Sequence, residues 1–308
     1  MSLTEIVSPF FPTFPSKKSP PSKNLALLAD AFEVSLLRHI ETLISTVSAG
    51  DSPSLGLSWL SKAVDVLSSV HVDAGTLVSD PSVSGSDASL DSYLDESVKL
   101  TDFCNSLTAE IGSLDRRLLL IRFAVHLLSS GAEGEKLRRA RDSIDEWEKK
   151  SSPIHPPDLA PRGKTRKPVH RAIYATGAVS ALIASSLSAA LGGGLSEESR
   201  KVAVSGEYPW VDAFRRLESA IVGEKGSSVG EVVHLDIAVR ALADVIDKVG
   251  ETETDVLTNA VSDVGRATKE MTDGLERLTN AVNGLFRSVL GSRNLVLQKF
   301  RLCPQKCK

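Results

Sequence analysis

Residues 93–128 read YLDESVKLTDFCNSLTAEIGSLDRRLLLIRFAVHLL, and the spacing of their apolar side chains decides the fold class. Tyr93, Ser97, Leu100, Cys104, Leu107, Ile111, Leu114, Leu118, Ile121, Val125 and Leu128 follow one another in steps of four and three. That average of about 3.5 residues keeps one seam on one side of a helix, so the stretch is expected to form a single long helix. The same alternation returns at Leu257, Val261, Val264, Thr268, Met271, Leu275, Leu278, Val282, Leu285 and Val289, with a shorter version over Val232, Leu235, Val239, Leu242, Ile246 and Val249. A sustained seam of this period implies left-handed packing at crossing angles of about 20°. Each long helix should run about 50 to 55 Å at ~1.5 Å per residue. The expected fold is all-α: an elongated antiparallel helical bundle with two long heptad-patterned helices, a coiled-coil-like architecture.

Shorter stripes fill the spaces between them. Leu25, Leu28, Phe32, Leu36, Ile40, Leu43 and Val47 form one, and Leu60, Val64, Leu67, Val70, Ala74 and Leu77 another. Leu137, Ala140, Ile144 and Trp147 mark a short amphipathic helix with charged outer faces, and Pro209 stands near a helix start, where its missing N–H costs nothing. Segments rich in Gly, Ser, Pro and Asp at 50–56, 79–87, 130–135 and 223–230 read as joints. The chain therefore divides into a disordered Pro/Ser-rich N-terminus (1–24), the first half of a bundle (25–150), a Pro-rich basic linker (151–170), the second half (171–300) and a basic cysteine-containing tail (301–308). One bundle completed by both halves is the favoured arrangement.

Composition excludes several functions. The 308 residues are 42% hydrophobic and 24% charged, ordinary for a globular protein, and the net charge of −3 argues against bulk attraction to nucleic acid. The cysteines, Cys104, Cys303 and Cys307, are odd in number, and a reducing compartment is favoured. The proline-broken N-terminus lacks the apolar run of a secretory signal, although its serine content leaves plastid targeting as an alternative to a cytoplasmic location. Cys303 and Cys307 sit beside Lys299, Arg301, Lys306 and Lys308, a setting for reversible acylation as well as for a plain frayed terminus.

Residues 172–194 form the most ambiguous stretch. The run from Ala172 to Ser196 carries no charge, and Arg162, Lys164, Arg166, Lys167 and Arg171 precede it. Its length would cross a bilayer, with the basic flank on the cytosolic side. Yet 15 of the 23 residues from Ala172 to Gly194 are Ala, Gly or Ser. Small residues drive insertion weakly and let helix backbones approach closely, so a tightly packed bundle helix is the stronger expectation. Weak contact of the basic segment 162–171 with an acidic membrane is the third alternative.

No constellation carries chemistry. The histidines at 39, 71, 126, 155, 170 and 234 make no ligand pair, and His39, His71 and His126 border apolar stripes, where half-buried packing residues are expected. The GKT at 163–165 lies in the linker with Asp158 in place of a first glycine, so it is not a phosphate loop. Neither a catalytic residue, a cofactor site nor a metal site is assigned, and the chain is expected not to be an enzyme.

Function enters through resemblance. The blocks FFPTFPSK (10–17), LSWLSKAVDVLSSVH (57–71), YLDESVKLTDFCNSLTAEI (93–111), LLIRFAVHLLSS (119–130) and VSGEYPWVDAF (204–214) are similar, in order and spacing, to the plant Bypass family, whose members are helical and related to exocyst-binding plant proteins. The resemblance implies a non-enzymatic regulator or scaffold of root and shoot development that restrains a root-derived mobile signal and binds protein partners on its helix faces. A membrane-associated trafficking adaptor of the exocyst-binding type is the alternative it implies. Sequence leaves the partner and the oligomeric state open.

Overall fold

The computed structural model describes residues 23–48, 55–83, 88–131, 133–149, 155–159, 167–192, 201–204, 206, 208–222, 229–248 and 254–302. Within these residues the chain forms α1 (Lys23–Ser48), α2 (Leu57–Val78), α3 (Ala88–Ser129), α4 (Gly134–Trp147), α5 (Pro168–Gly192), α6 (Val211–Val222), α7 (Gly230–Asp247) and α8 (Thr254–Leu302). The all-α expectation is met, and among the described residues the sole β-type contact is an isolated parallel bridge between Leu55 and Val229.

The heptad seams are the buried faces. Every seam residue from Tyr93 to Leu128 is buried except the half-buried Val125, and every one from Leu257 to Val289 is buried. Both helices exceed the expected length: the 42 residues of α3 and 49 of α8 span about 63 and 73 Å at ~1.5 Å per residue. The α8 seam continues past Val289 through the buried Ser292 and Val296, which extends the helix.

The pairs α1 with α2 and α4 with α7 run antiparallel. Ser35 donates to Asp73 across α1 and α2, and Arg141 reaches Asp247 across α4 and α7. The α3–α8 contact is antiparallel too, with Arg293 donating to the Leu94 carbonyl near one end and Arg122 to Thr272 Oγ1 further along. The pair α2 and α8 runs parallel. Leu57 faces Gly274 at one end, Gly75 faces Ser292 at the other, and Ser68 donates to Ser288 Oγ between them at 2.7 Å. A Cβ on Gly75 would stand 2.5 Å from Ser292 Oγ, and one on Gly274 would stand 2.5 Å from Leu57 Cδ1, so both backbones approach closer than a side chain allows. The start of α2 is tied to the start of α7 as well. The Glu231 carboxylate accepts the Leu57 N–H at 3.0 Å, placing negative charge at the positive end of α2.

Helix α5 lies at one end of the bundle, in contact with α1, α2, α3 and α6. It opens on Pro168, at a position where the ring's fixed φ suits a helix and the missing N–H would have had no partner. The linker expected to reach residue 170 therefore yields its last prolines's position to the helix, while residues 160–166 lie outside the described residues. At the other end, α4 and α7 pack against each other and against the remaining lengths of α3 and α8.

Candidate functional site

The α5 end is closed. By length and composition Pro168–Leu191 could cross a membrane, but 94% of its apolar window is buried inside the protein. Thr176, Ser180, Ser185, Ser186 and Ser188 are buried among aliphatic neighbours, and most turn their hydroxyls back to their own helix: Thr176 to the Ala172 carbonyl, and Ser185 and Ser186 both to Leu182. Small side chains satisfied within the helix let α1, α2, α3 and α6 close around it. Arg171, the last member of the basic cluster, does not face outward. Its Nε and Nη2 form a bidentate pair with the Glu33 carboxylate at 2.7 and 2.6 Å, and Glu33 is 2% exposed. That charge-assisted hydrogen bond raises the Arg171 pKa further. The tripeptide 163–165, the glycines 193 and 194, the N-terminus 1–22 and the cysteines 303 and 307 lie outside the described residues.

The EYPW block pins α6 to α5. Trp210 is fully buried, stacks on Tyr208 at 5.9 Å and meets Tyr174 at 6.2 Å and Phe214 edge-on at 5.8 Å. Ring pairs of this geometry add stabilisation beyond the area they bury. Beside this cluster, His71 approaches the Ser180 hydroxyl through Nε2 at 3.1 Å, and the Ser292 hydroxyl donates to the His71 carbonyl at 3.1 Å. Burial lowers the His71 pKa to about 4 and raises that of Tyr93 to about 12, so both are neutral at physiological pH. Cys104 is likewise pushed up to about 12 by burial and is no nucleophile. His71 and Ser292 join α2 to α5 and α8 through these bonds.

The opposite end is open. Helices α7 and α8 diverge over a groove of about 530 Å³ with Ala238, Ala241, Ala260 and Ala267 in its walls. Ile237 and Val256, 60% and 43% exposed, stand at its margin, with Asp263, Arg266 and Glu270 along the α8 side. Two further cavities lie along the α3–α8 junction. One of about 430 Å³ is lined by Arg122, His126, Gly265, Thr268, Lys269 and Asp273, and one of about 510 Å³ by Asp115, Arg122, Glu276 and Asn280 among others. Arg122 and Thr272 stand between them, sharing both.

Of the histidines expected to pack half-buried, His39 does so and His71 goes further into the core, but His126 is exposed and lines the α3–α8 cavity. Bordering a stripe fixes a residue near the edge of a buried face without saying whether the neighbouring helix covers that edge. Ile237 and Val256 were outside every apolar seam, and that is the one signal the sequence carried of a second apolar face on α7 and α8. Among the described residues no three His, Cys, Asp or Glu side chains gather as a metal site would require.

Next to α4, side chains of α3, α4 and α7 interlock around a smaller cavity of about 280 Å³. The Arg117 guanidinium lies 4.7 Å from the Trp147 ring centre, and the indole N–H donates to Asp236 of α7 at 3.1 Å. Arg141 adds ion pairs to Asp145 and, at 3.1 Å, to Asp247.

No family model matches the chain, and no solved structure matches it. Curated plant proteins do. "Protein BPS1, chloroplastic" of Arabidopsis thaliana is 27% identical over 94% of this chain and 88% of its own length. A protein named UPF0496 protein 4 from Oryza sativa subsp. indica is 30% identical over 85% of this chain, and its counterpart from subsp. japonica 36% identical over 47%. The chain spans 63% and 32% of those two rice proteins, less than two thirds of either. The ordered motif blocks and the likeness to BPS1 over nearly the whole length agree, and the chain is similar to the Bypass-related proteins of plants.

Proposed function

We propose that this protein is a non-enzymatic helical scaffold of Bypass type, which acts in root and shoot development by restraining a root-derived mobile signal and does so by binding a protein partner. The observation that carries the binding step is the α7–α8 groove. Its alanine walls admit a third helix to close range, Ile237 and Val256 supply apolar anchors at its margin, and the charges on α8 suit the polar flanks of an amphipathic segment. The buried His71, Tyr93 and Cys104 support a structural use of the groups that an enzyme would place in a pocket. None of the relatives' names denotes an enzyme.

The test is genetic and biochemical together. In seedlings lacking the protein, the wild-type chain should restore shoot growth, and Ile237→Glu/Val256→Glu, folded to the same helicity, should fail and should lose the partner captured by the wild type. Full rescue by the double variant would sink the groove as the functional surface.

Location follows the same relatives. A cytoplasmic site was the first expectation, and the chloroplastic name of the Arabidopsis relative favours the plastid alternative; imaging of a fusion carrying its tag at the C-terminus decides between them. A trafficking adaptor held to membranes through 162–194 is less well supported, since α5 is enclosed by four helices and Arg171 is committed to Glu33. Complete release by alkaline carbonate would dismiss a membrane span.

A further inference from the structure

We propose that the α3–α8 cavity lined by Arg122, His126, Lys269 and Thr268 is a binding site for a phosphate monoester. The space exists because α8 carries Gly265 where a longer side chain would fill it: a Cβ built there meets nothing nearer than Val125 Cγ1, at 4.0 Å. Both helices send basic side chains to this space. Arg122 and His126 come from α3 and Lys269 from α8.

Their donors are largely unspent. Arg122 donates through Nη2 to the Thr272 hydroxyl at 2.6 Å, which leaves most of its five N–H donors free of any partner among the described residues. His126 and Lys269 have no hydrogen-bond or ion-pair partner among the described residues. The contrast with α4 is direct, since there Arg138 and Arg141 each hold two carboxylates. The Thr272 hydroxyl in turn donates to the Thr268 carbonyl at 2.8 Å, so Arg122 leans on a fixed acceptor and its fork is held in place.

Charge and volume choose the ligand. Arg122 and Lys269 offer two permanent positive charges against the single carboxylate of Asp273, and His126 adds a ring N–H donor. A phosphate monoester carries about −1.5 to −2 charges near neutral pH with three strong acceptor oxygens, which a fork and an ammonium bind well. A cavity of about 430 Å³ exceeds what bare phosphate fills, and Val125 with the Thr268 side chain forms a wall for the organic part of an ester. This site is independent of the α7–α8 groove, and either can fail alone.

The full chain would be titrated with inorganic phosphate, with phenyl phosphate, and with phosphatidylcholine vesicles with or without phosphatidic acid, following phosphorus NMR and co-sedimentation. Saturable binding of phenyl phosphate tighter than that of inorganic phosphate is expected. Arg122→Gln/Lys269→Gln should weaken it about tenfold or more, whereas Arg138→Gln/Lys149→Gln, which removes the same charge from exposed positions on α4 and just after it, should leave it unchanged. Asp273→Asn should tighten it, a result that no loss of fold produces. Should the first double variant unfold, Gly265→Leu fills the cavity without altering charge and should abolish binding. Binding to phosphatidic acid vesicles with the same variant pattern would make the source a lipid headgroup, and binding of phenyl phosphate alone would make it a soluble ester. Equal weakening by both double variants, or no saturable binding of any probe, overturns the proposal.

Discussion

One end of this molecule packs its small residues beneath four helices, and the other sets them in the walls of an open groove. Around α5, Ala and Ser side chains are covered on all sides by α1, α2, α3 and α6. Along α7 and α8, Ala238, Ala241, Ala260 and Ala267 line a groove that no described helix covers. The same residue type has opposite consequences because burial depends on whether a further helix arrives. At the α5 end α6 arrives, anchored by Trp210, and at the α7–α8 end α4 reaches α7 through Trp147 and Asp236 but leaves the other flank of the pair bare. A helix of small residues lets a neighbour approach closely, and the two ends differ in whether a described helix of this chain takes that place.

The contrast breaks most directly at Trp210. Trp210→Ala removes a fully buried ring in contact with Tyr174, Tyr208 and Phe214 and should cost about 3 to 5 kcal/mol in urea unfolding. If α5 stays enclosed for other reasons, the loss will be near zero, and the closed end will not owe its closure to α6.

Acid tests the same end. Folded His71 titrates at about 4, below the 6.5 of a free imidazole, so between these values the unfolded chain takes up a proton that the folded chain refuses. Its contribution to stability is therefore complete above pH 6.5 and is lost as the pH falls toward 4, by about 3 kcal/mol. His71→Gln keeps a polar group near Ser180 and should flatten that part of the pH profile; an unchanged profile would show that the imidazole is not the titrating group.

The smallest effect belongs to the open end. Ile237→Glu on its own should move the unfolding midpoint by less than about 0.5 kcal/mol, as a substitution at a 60% exposed position does. A loss as large as that of Trp210→Ala would mean that the groove is filled in the native protein, and the difference between the two ends would vanish.

Much of the fold was legible in the chain. The four-three spacing from Tyr93 to Leu128 and from Leu257 to Val289 named the buried face of both long helices almost residue for residue. What the spacing could not name was the partner of each face. A seam says which side is buried and nothing about against whom, so the parallel pairing of α2 with α8 was hidden, although Gly75 and Gly274 mark its two ends once the helices are seen together. The grooves were hidden for a related reason. The space beside Gly265 depends on how far α3 stands from α8, and that distance is set by the packing of residues elsewhere on both helices.

The parallel pairing of α2 and α8 also has a consequence in time. Gly75 and Ser292 are in contact though they lie far apart in the chain, so the surface of α2 that α8 covers is made first and covered last. At synthesis rates of about 5 to 20 residues per second the emerging chain carries that apolar face uncovered for about 10 to 40 s. Leu57, buried against Gly274 in the finished protein, lacks that cover during the interval, an exposure that the stability of the completed bundle does not reveal.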